Sequence, residues 1–174
     1  MLKVVCIVNG YLEENCYIIH NDKDALIIDP GSEGKHIIEI IEKLKVNIKG
    51  ILITHSHFDH VGALDEINNK YKVEVIDNKN RKENINGFKY KIIENYGHTM
   101  DSVSYYFYED KIMFTGDFVF RGSIGKYDYE NEEIMYSSLK EFKKLDKDII
   151  IYPGHGEPST IDLELKYNPF LRGI

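Results

Sequence analysis

Short apolar runs alternate with turn residues through the first part of the chain. Leu2 to Val8, Cys16 to His20 and Ala25 to Ile28 are divided by Asn9-Gly10 and Asn21-Asp22, which predicts three consecutive antiparallel strands. Asp29-Pro30-Gly31 breaks the last of them. Ile37, Ile38, Ile40, Ile41 and Leu44 then recur at helical spacing, which predicts an amphipathic helix running to Val46. Gly50 to Thr54 reads as a buried strand, Ala63 to Tyr71 as a helix and Val73 to Ile76 as a short strand. After a polar loop at Asp77 to Gly87 comes a second strand-rich block: Phe88 to Asn95, Ser102 to Tyr108 and Lys111 to Thr115. A helix near Glu132 to Leu145 and a strand at Ile149 to Tyr152 follow it. Two β-rich halves, each followed by helices, predict an α/β fold in which sheets pack together with helices outside. No linker, low-complexity tract or short-period repeat interrupts the pattern, so residues 1–174 are expected to form a single domain.

Composition narrows the partners. With 22 Lys and Arg against 29 Asp and Glu, the formal charge is -7, which disfavours long-range attraction to polyanions. The Tyr105, Tyr106, Tyr108 run lacks interleaved basic residues, so no nucleic-acid platform is expected. No stretch approaches a membrane span, and Met1 to Asn9 fits a first strand better than a signal peptide. Cys6 and Cys16, each in an apolar run, are expected to be buried reduced thiols, as suits a cytoplasmic protein.

The histidines carry the chemistry. Three of the seven fall in Thr54-His55-Ser56-His57-Phe58-Asp59-His60, directly after the apolar run that ends at Ile53. A strand end is a rigid base, and the loop leaving it can turn imidazoles at i and i+2 toward one cation while Asp59 and His60 address a second. Imidazole nitrogen and carboxylate oxygen suit zinc, manganese or iron. Gly97-His98-Thr99, Thr115-Gly116-Asp117 and Pro153-Gly154-His155-Gly156 each follow an apolar run, with small residues that let the backbone approach a central site. His20 and His36 match no such motif.

In that order, these four segments resemble the metallo-β-lactamase superfamily over nearly the whole chain. Asn15-Cys16-Tyr17, Asp29-Pro30-Gly31 and Phe120 to Gly125 are similar to its glyoxalase II branch, especially short bacterial forms. The resemblance implies an αββα sandwich: two mixed sheets packed face to face, helices on the outer faces, and two divalent metals, zinc foremost, at the sheet edge. It further implies that His55, His57 and His98 bind one metal, that Asp59, His60 and His155 bind the other, and that Asp117 bridges them. An aspartate at 117 argues against the cysteine-containing metallo-β-lactamases proper. His57 argues against diiron oxygen reductases, whose motif has a glutamate there.

The implied activity is hydrolysis of a thioester of the glyoxalase II type. Two cations can hold one water between them and lower its pKa from about 15.7 toward about 7, with Asp59 as the catalytic residue that orients the resulting bridging hydroxide. A thiolate, whose conjugate acid has a pKa of about 8.5, leaves with little acid assistance. The sequence departs from typical glyoxalase II enzymes in lacking their C-terminal helical domain, since only Tyr152 to Ile174 follow the last strand. Lys126 falls where relatives carry a basic residue that can contact the substrate's carboxylate, with Tyr127 beside it, in Lys126-Tyr127-Asp128 rather than the Arg-Thr-Asp of short relatives. Three alternatives remain: a persulfide dioxygenase using one iron on His55, His98 and Asp117, a lactone or ester hydrolase, and a non-enzymatic scaffold. The full set of seven ligands favours two metals over one, and a working centre over a scaffold that would carry its desolvation cost without return.

Overall fold

In the computed structural model, which describes residues 1–174, the chain opens with β1 (Lys3–Asn9), β2 (Glu14–His20) and β3 (Asp24–Ile28), then α1 (Gly34–Leu44) and β4 (Asn47–Leu52). Two helices, α2 (Phe58–Val61) and α3 (Leu64–Tyr71), lead to β5 (Glu74–Ile76) and the hairpin of β6 (Asn84–Ile85) and β7 (Phe88–Lys89). The second half comprises β8 (Lys91–Glu94), β9 (Val103–Phe107), β10 (Ile112–Gly116) and the hairpin of β11 (Val119–Phe120) and β12 (Ser123–Ile124). It closes with α4 (Glu132–Phe142), β13 (Ile150–Pro153), β14 (Ser159–Thr160), α5 (Ile161–Tyr167) and α6 (Pro169–Arg172).

The main strands form two five-stranded mixed sheets, ordered β1-β2-β3-β4-β5 and β14-β13-β10-β9-β8. β1 to β3 run antiparallel, as their turns predict, and the crossovers through α1 and α3 make β3-β4 and β4-β5 parallel. Alternation along the strands sends side chains to two different cores. Tyr17, Ile19, Leu26 and Ile28 meet Tyr105, Phe107 and Phe114 between the sheets, while Cys16, Ile18, Ala25 and Ile27 pack outward with Ile37 and Ile41 of α1 and Ile67 of α3. On the far face, Met113 and Ile151 pack against Met135 and Leu139 of α4. Each such fully buried Ile, Leu or Phe contributes about 1.5–3 kcal/mol. The layers are therefore α/β/β/α, the sandwich expected from the sequence.

Two tyrosines tie the sheets together at the edge from which the histidine loops emerge. Tyr105 donates to the carbonyl of Ile53 at 2.7 Å, with that of Ile76 at 3.0 Å, and Tyr17 donates to that of Pro153 at 2.6 Å. Asn15 adds a backbone bond to Gly154 at 2.8 Å and side-chain bonds to the carbonyls of Pro153 and Gly156.

Several elements differ from the sequence reading. α1 stops at Leu44 because Lys45 takes a left-handed conformation, φ 57°, and caps the helix. The run from Phe88 to Asn95 breaks at Tyr90, whose N–H turns to the carbonyl of Glu83. Within the expected loop at Asp77 to Gly87, Asn84-Ile85 pairs back onto Phe88-Lys89 around Asn86-Gly87, both at positive φ, a two-residue hairpin turn. Cys16 is buried but Cys6 is exposed: on edge strand β1 it faces the inter-sheet side with its pairing partner Tyr17, at the rim of that layer.

Candidate metal centre

Seven side chains converge at the sheet edge. His55 and His57 leave the end of β4, Asp59 and His60 sit on α2, His98 follows β8, Asp117 follows β10 and His155 follows β13. His55 Nε2 lies 3.1 Å and His98 Nε2 3.0 Å from His57 Nδ1. His60 Nε2 is 3.2 Å from Asp117 Oδ1, and His155 Nε2 is 3.3 Å from Asp59 Oδ2. Asp117 spans the groups, since its other oxygen, Oδ2, is 3.6 Å from both His98 Nε2 and His155 Nε2. Donor atoms at the corners of a tetrahedron with bonds of about 2.0–2.1 Å stand about 3.3 Å apart, so these spacings fit metal coordination.

The outer nitrogens fix the direction of the inner ones. His60 Nδ1 donates to Asp29 Oδ2 at 2.9 Å, His155 Nδ1 to the carbonyl of Leu12 at 3.0 Å, and His98 Nδ1 to the carbonyl of Lys126. His55 Nδ1 faces Thr54 Oγ1 at 3.1 Å, and that hydroxyl in turn donates to Asp29 at 2.6 Å. With the protons on these outer nitrogens, four Nε2 lone pairs point inward. His60 Nε2 and Asp117 Oδ1 are buried without a hydrogen-bond partner, an arrangement that a cation between them satisfies. Four residue triads here are close enough to hold an ion: His55, His57 and His98; His55, His60 and Asp117; Asp59, His60 and His155; and Glu14, Asp29 and His60. The donor set of imidazole and carboxylate fits divalent metals.

Electrostatics agree. Burial works against a charged His60, yet Asp117 and Asp29 outweigh it and push its pKa up to about 11. Burial would likewise raise Asp117, but the charge of His60, 3.2 Å away, brings it down to about 2. His55 falls to about 2 through burial and the neighbouring His60 charge. A pocket whose carboxylates keep His60 charged against its burial attracts positive charge.

Close approach of the backbone depends on glycine at two points. A Cβ on Gly154 would lie 2.2 Å from Asp117 Oδ1 and 2.6 Å from His60 Cε1, and one on Gly125 would lie 1.7 Å from the Asp117 carbonyl.

The remaining sequence-predicted residues lie at the margin. Lys126 contributes its backbone carbonyl to His98 while its side chain is exposed, and the half-buried Tyr127 packs its ring on Tyr136 of α4. His20 hydrogen-bonds the N–H of Asp22 away from the centre. Two buried residues beside His60 were not singled out from sequence. Asp29, at φ 49°, accepts from Thr54 and His60, and Glu14 places Oε1 3.9 Å from His60 Nδ1. For Asp29 the sequence offered the strand break and the glyoxalase II-like Asp29-Pro30-Gly31 segment, neither of which gave it a role at the centre.

The chain is similar to known proteins. The family model of the metallo-beta-lactamase superfamily matches residues 10–96 and 82–155. The chain belongs to that superfamily. It is 32% identical over 91% of its length to hydroxyacylglutathione hydrolase GloC of Haemophilus influenzae, of which 93% is covered. It is 30% identical over 95% of its length to the probable metallo-hydrolase YqgX of Bacillus subtilis, again with 95% of that protein covered. Among solved structures, the BLEG-1 B3 metallo-beta-lactamase superposes with a TM-score of 0.91 at 26% identity, covering 97% of this chain and 99% of that one. TTHA1623 in a di-iron-bound form superposes with a TM-score of 0.87 at 27% identity, covering 96% and 100%. The superfamily and its glyoxalase II-like relatives make this chain a metallo-hydrolase of that fold.

Proposed function

We propose that the protein is a binuclear metal-dependent thioesterase acting on small S-acyl thiols. The observation that carries this reading is Asp117, whose two oxygens face His60 on one side and His98 and His155 on the other. In this reading His55, His57 and His98 hold one metal, Asp59, His60 and His155 the other, and Asp117 joins them. When bound, such metals supply Lewis acidity and a water acidic enough to react near neutral pH. The chain's own part is orientation. Asp59, on the short α2 helix, directs the attacking water, and the outer-nitrogen bonds to Asp29, Leu12 and Lys126 keep the imidazoles from turning away.

A thioester suits a site with no protein nucleophile and no dedicated acid, because its leaving thiolate needs little protonation. The similarity to a hydroxyacylglutathione hydrolase over 91% of the chain supports the same class. Lys126 and Tyr127 are assigned to substrate contact, zinc to the metal, and residues 1–174 to one domain working in the cytoplasm without nucleic acid or membrane partners. No helix is long and apolar enough to cross a membrane.

Hydrolysis of S-lactoylglutathione and a panel of other S-acyl thiols by freshly purified protein tests the proposal, with oxygen uptake on a persulfide measured in parallel. Thioester turnover without oxygen uptake is expected. Oxygen uptake with no turnover on any thioester would overturn it in favour of a dioxygenase.

A further inference from the structure

Beside the metal centre, a cavity of about 710 Å³ opens between the β1–β2 turn, the start of α1 and the α2–α3 segment, with Asp59 on its wall. That volume accommodates a small organic ligand. At its apolar part stand Tyr11, Leu12 and Phe58, which are 84%, 41% and 63% exposed, a costly display for large side chains that cover nothing. Its polar part is unbalanced. Leaving aside Asp59, which belongs to the metal triads, and the buried Glu14, three carboxylates, Glu33, Glu39 and Glu66, share the walls with one ammonium, Lys35, and one imidazole, His36.

A second observation points to a ligand. Asn9 and Glu14 also line this cavity, each 1% exposed, and all four of their side-chain polar atoms lack a hydrogen-bond partner. Gly31 stands on the same wall, and a Cβ there would lie 1.7 Å from the Asp59 carbonyl and 2.4 Å from Glu14 Oε2, so only glycine lets the wall close this tightly on Glu14.

We infer that this cavity is a substrate subsite for an organic cation, an amine or quaternary ammonium arm, seated between the aromatic rings of Tyr11 and Phe58 and the carboxylates of Glu33, Glu39 and Glu66. Aromatic faces and carboxylates attract the same charge, and a quaternary ammonium keeps an apolar surface for the rings. The start of α1 works the other way, as a partial positive charge, but Glu66 lies over it, with Oε2 2.3 Å from the Cβ position of Gly34. The inference deepens the thioesterase reading by naming the charge of one substrate arm, and it sets thioesters of cationic or neutral thiols above those of anionic ones.

The test has a binding arm and a rate arm. Choline and its uncharged isostere neohexyl alcohol are titrated into the metal-loaded protein while backbone amide shifts are followed. Choline is expected to move the amides of Tyr11, Glu33 and Phe58 and to bind at least about tenfold more tightly than the alcohol, as one partly screened charge interaction provides. Equal binding of the alcohol, or shifts confined to other regions, overturns the subsite. In the rate arm, acetylthiocholine, S-neohexyl thioacetate and S-acetylmercaptopropionate are compared. The cationic ester should exceed the anionic one in kcat/KM by at least about tenfold, and Glu39→Lys, with Glu39→Gln as the milder variant, should narrow that ratio. Choline binding with no turnover of any ester sinks the thioesterase reading and leaves the subsite standing. Turnover with neither choline binding nor charge preference does the reverse.

Discussion

Asp29 holds three donors at once: the N–H and hydroxyl of Thr54 and the outer nitrogen of His60. Replacing it with Asn removes a charge that both orients His60 and strengthens it as a ligand. Asp29→Asn is therefore expected to lower metal affinity about 10–100-fold, read by competition with a chromogenic chelator, with little change in the circular dichroism spectrum. Asp59→Ala should cut hydrolysis by about a hundredfold or more, and turnover that survives with both metals bound removes its assigned role. Gly154→Ala pushes a methyl group into Asp117 and His60 and should lower metal stoichiometry before it lowers folding. At this scale the convergence of the seven His and Asp side chains was legible, because these residues rarely crowd together after apolar runs except to hold a metal or to do chemistry. Asp29 and Glu14 were not. Their roles arise only when β2 and the end of β3 fold beneath a loop some thirty residues further on, a contact that no local pattern announces.

Among the elements, those with strong periodicity matched expectation. β1 to β3, α1, α3, α4 and the central strands of the second sheet lie where alternation or helical spacing placed them, with ends shifted by a few residues. Short elements escaped. β6, β11, β12 and β14 have two residues each, too few for a period to show, and they exist through pairing rather than propensity. α5 and α6 do carry local signals: Thr160 caps α5 by accepting from Leu163, and Asn168-Pro169 starts α6 with an Asn cap and Pro at its first turn. These last helices matter to the centre. Buried Glu164 accepts from Gly122 at 2.8 Å and from Asn168 at 2.9 Å, holding the β11–β12 turn that leads on to Gly125 and Lys126. The tie between sheets is also testable. Tyr105→Phe leaves the buried carbonyls of Ile53 and Ile76 without their hydroxyl donor and should cost about 1–3 kcal/mol in urea denaturation.

For the whole molecule, the sandwich places seven candidate ligand side chains from four segments on one sheet edge, and the concentrated charge couples folding to pH. In the metal-free protein His60 is raised from 6.5 to about 11, so its contribution is full below pH 6.5 and is lost as pH rises through about 11. Glu14, raised by burial from 4.5 to about 10, acts in the same direction, since the folded state keeps a proton that the unfolded chain releases. His55, depressed by burial to about 2, opposes them only below its ordinary value of 6.5. The metal-free protein should therefore lose thermal stability as pH rises from 6.5 towards 11, whereas the metal-loaded protein, with a metal in place of that proton, should change less. Melting temperatures that fall in parallel for both forms contradict this. The most direct test of the binuclear account is titration of metal-free protein with zinc while thioester hydrolysis is followed. The account predicts activity that rises until two equivalents are bound and then levels off, and activity that is complete at one equivalent, or absent at two, contradicts it.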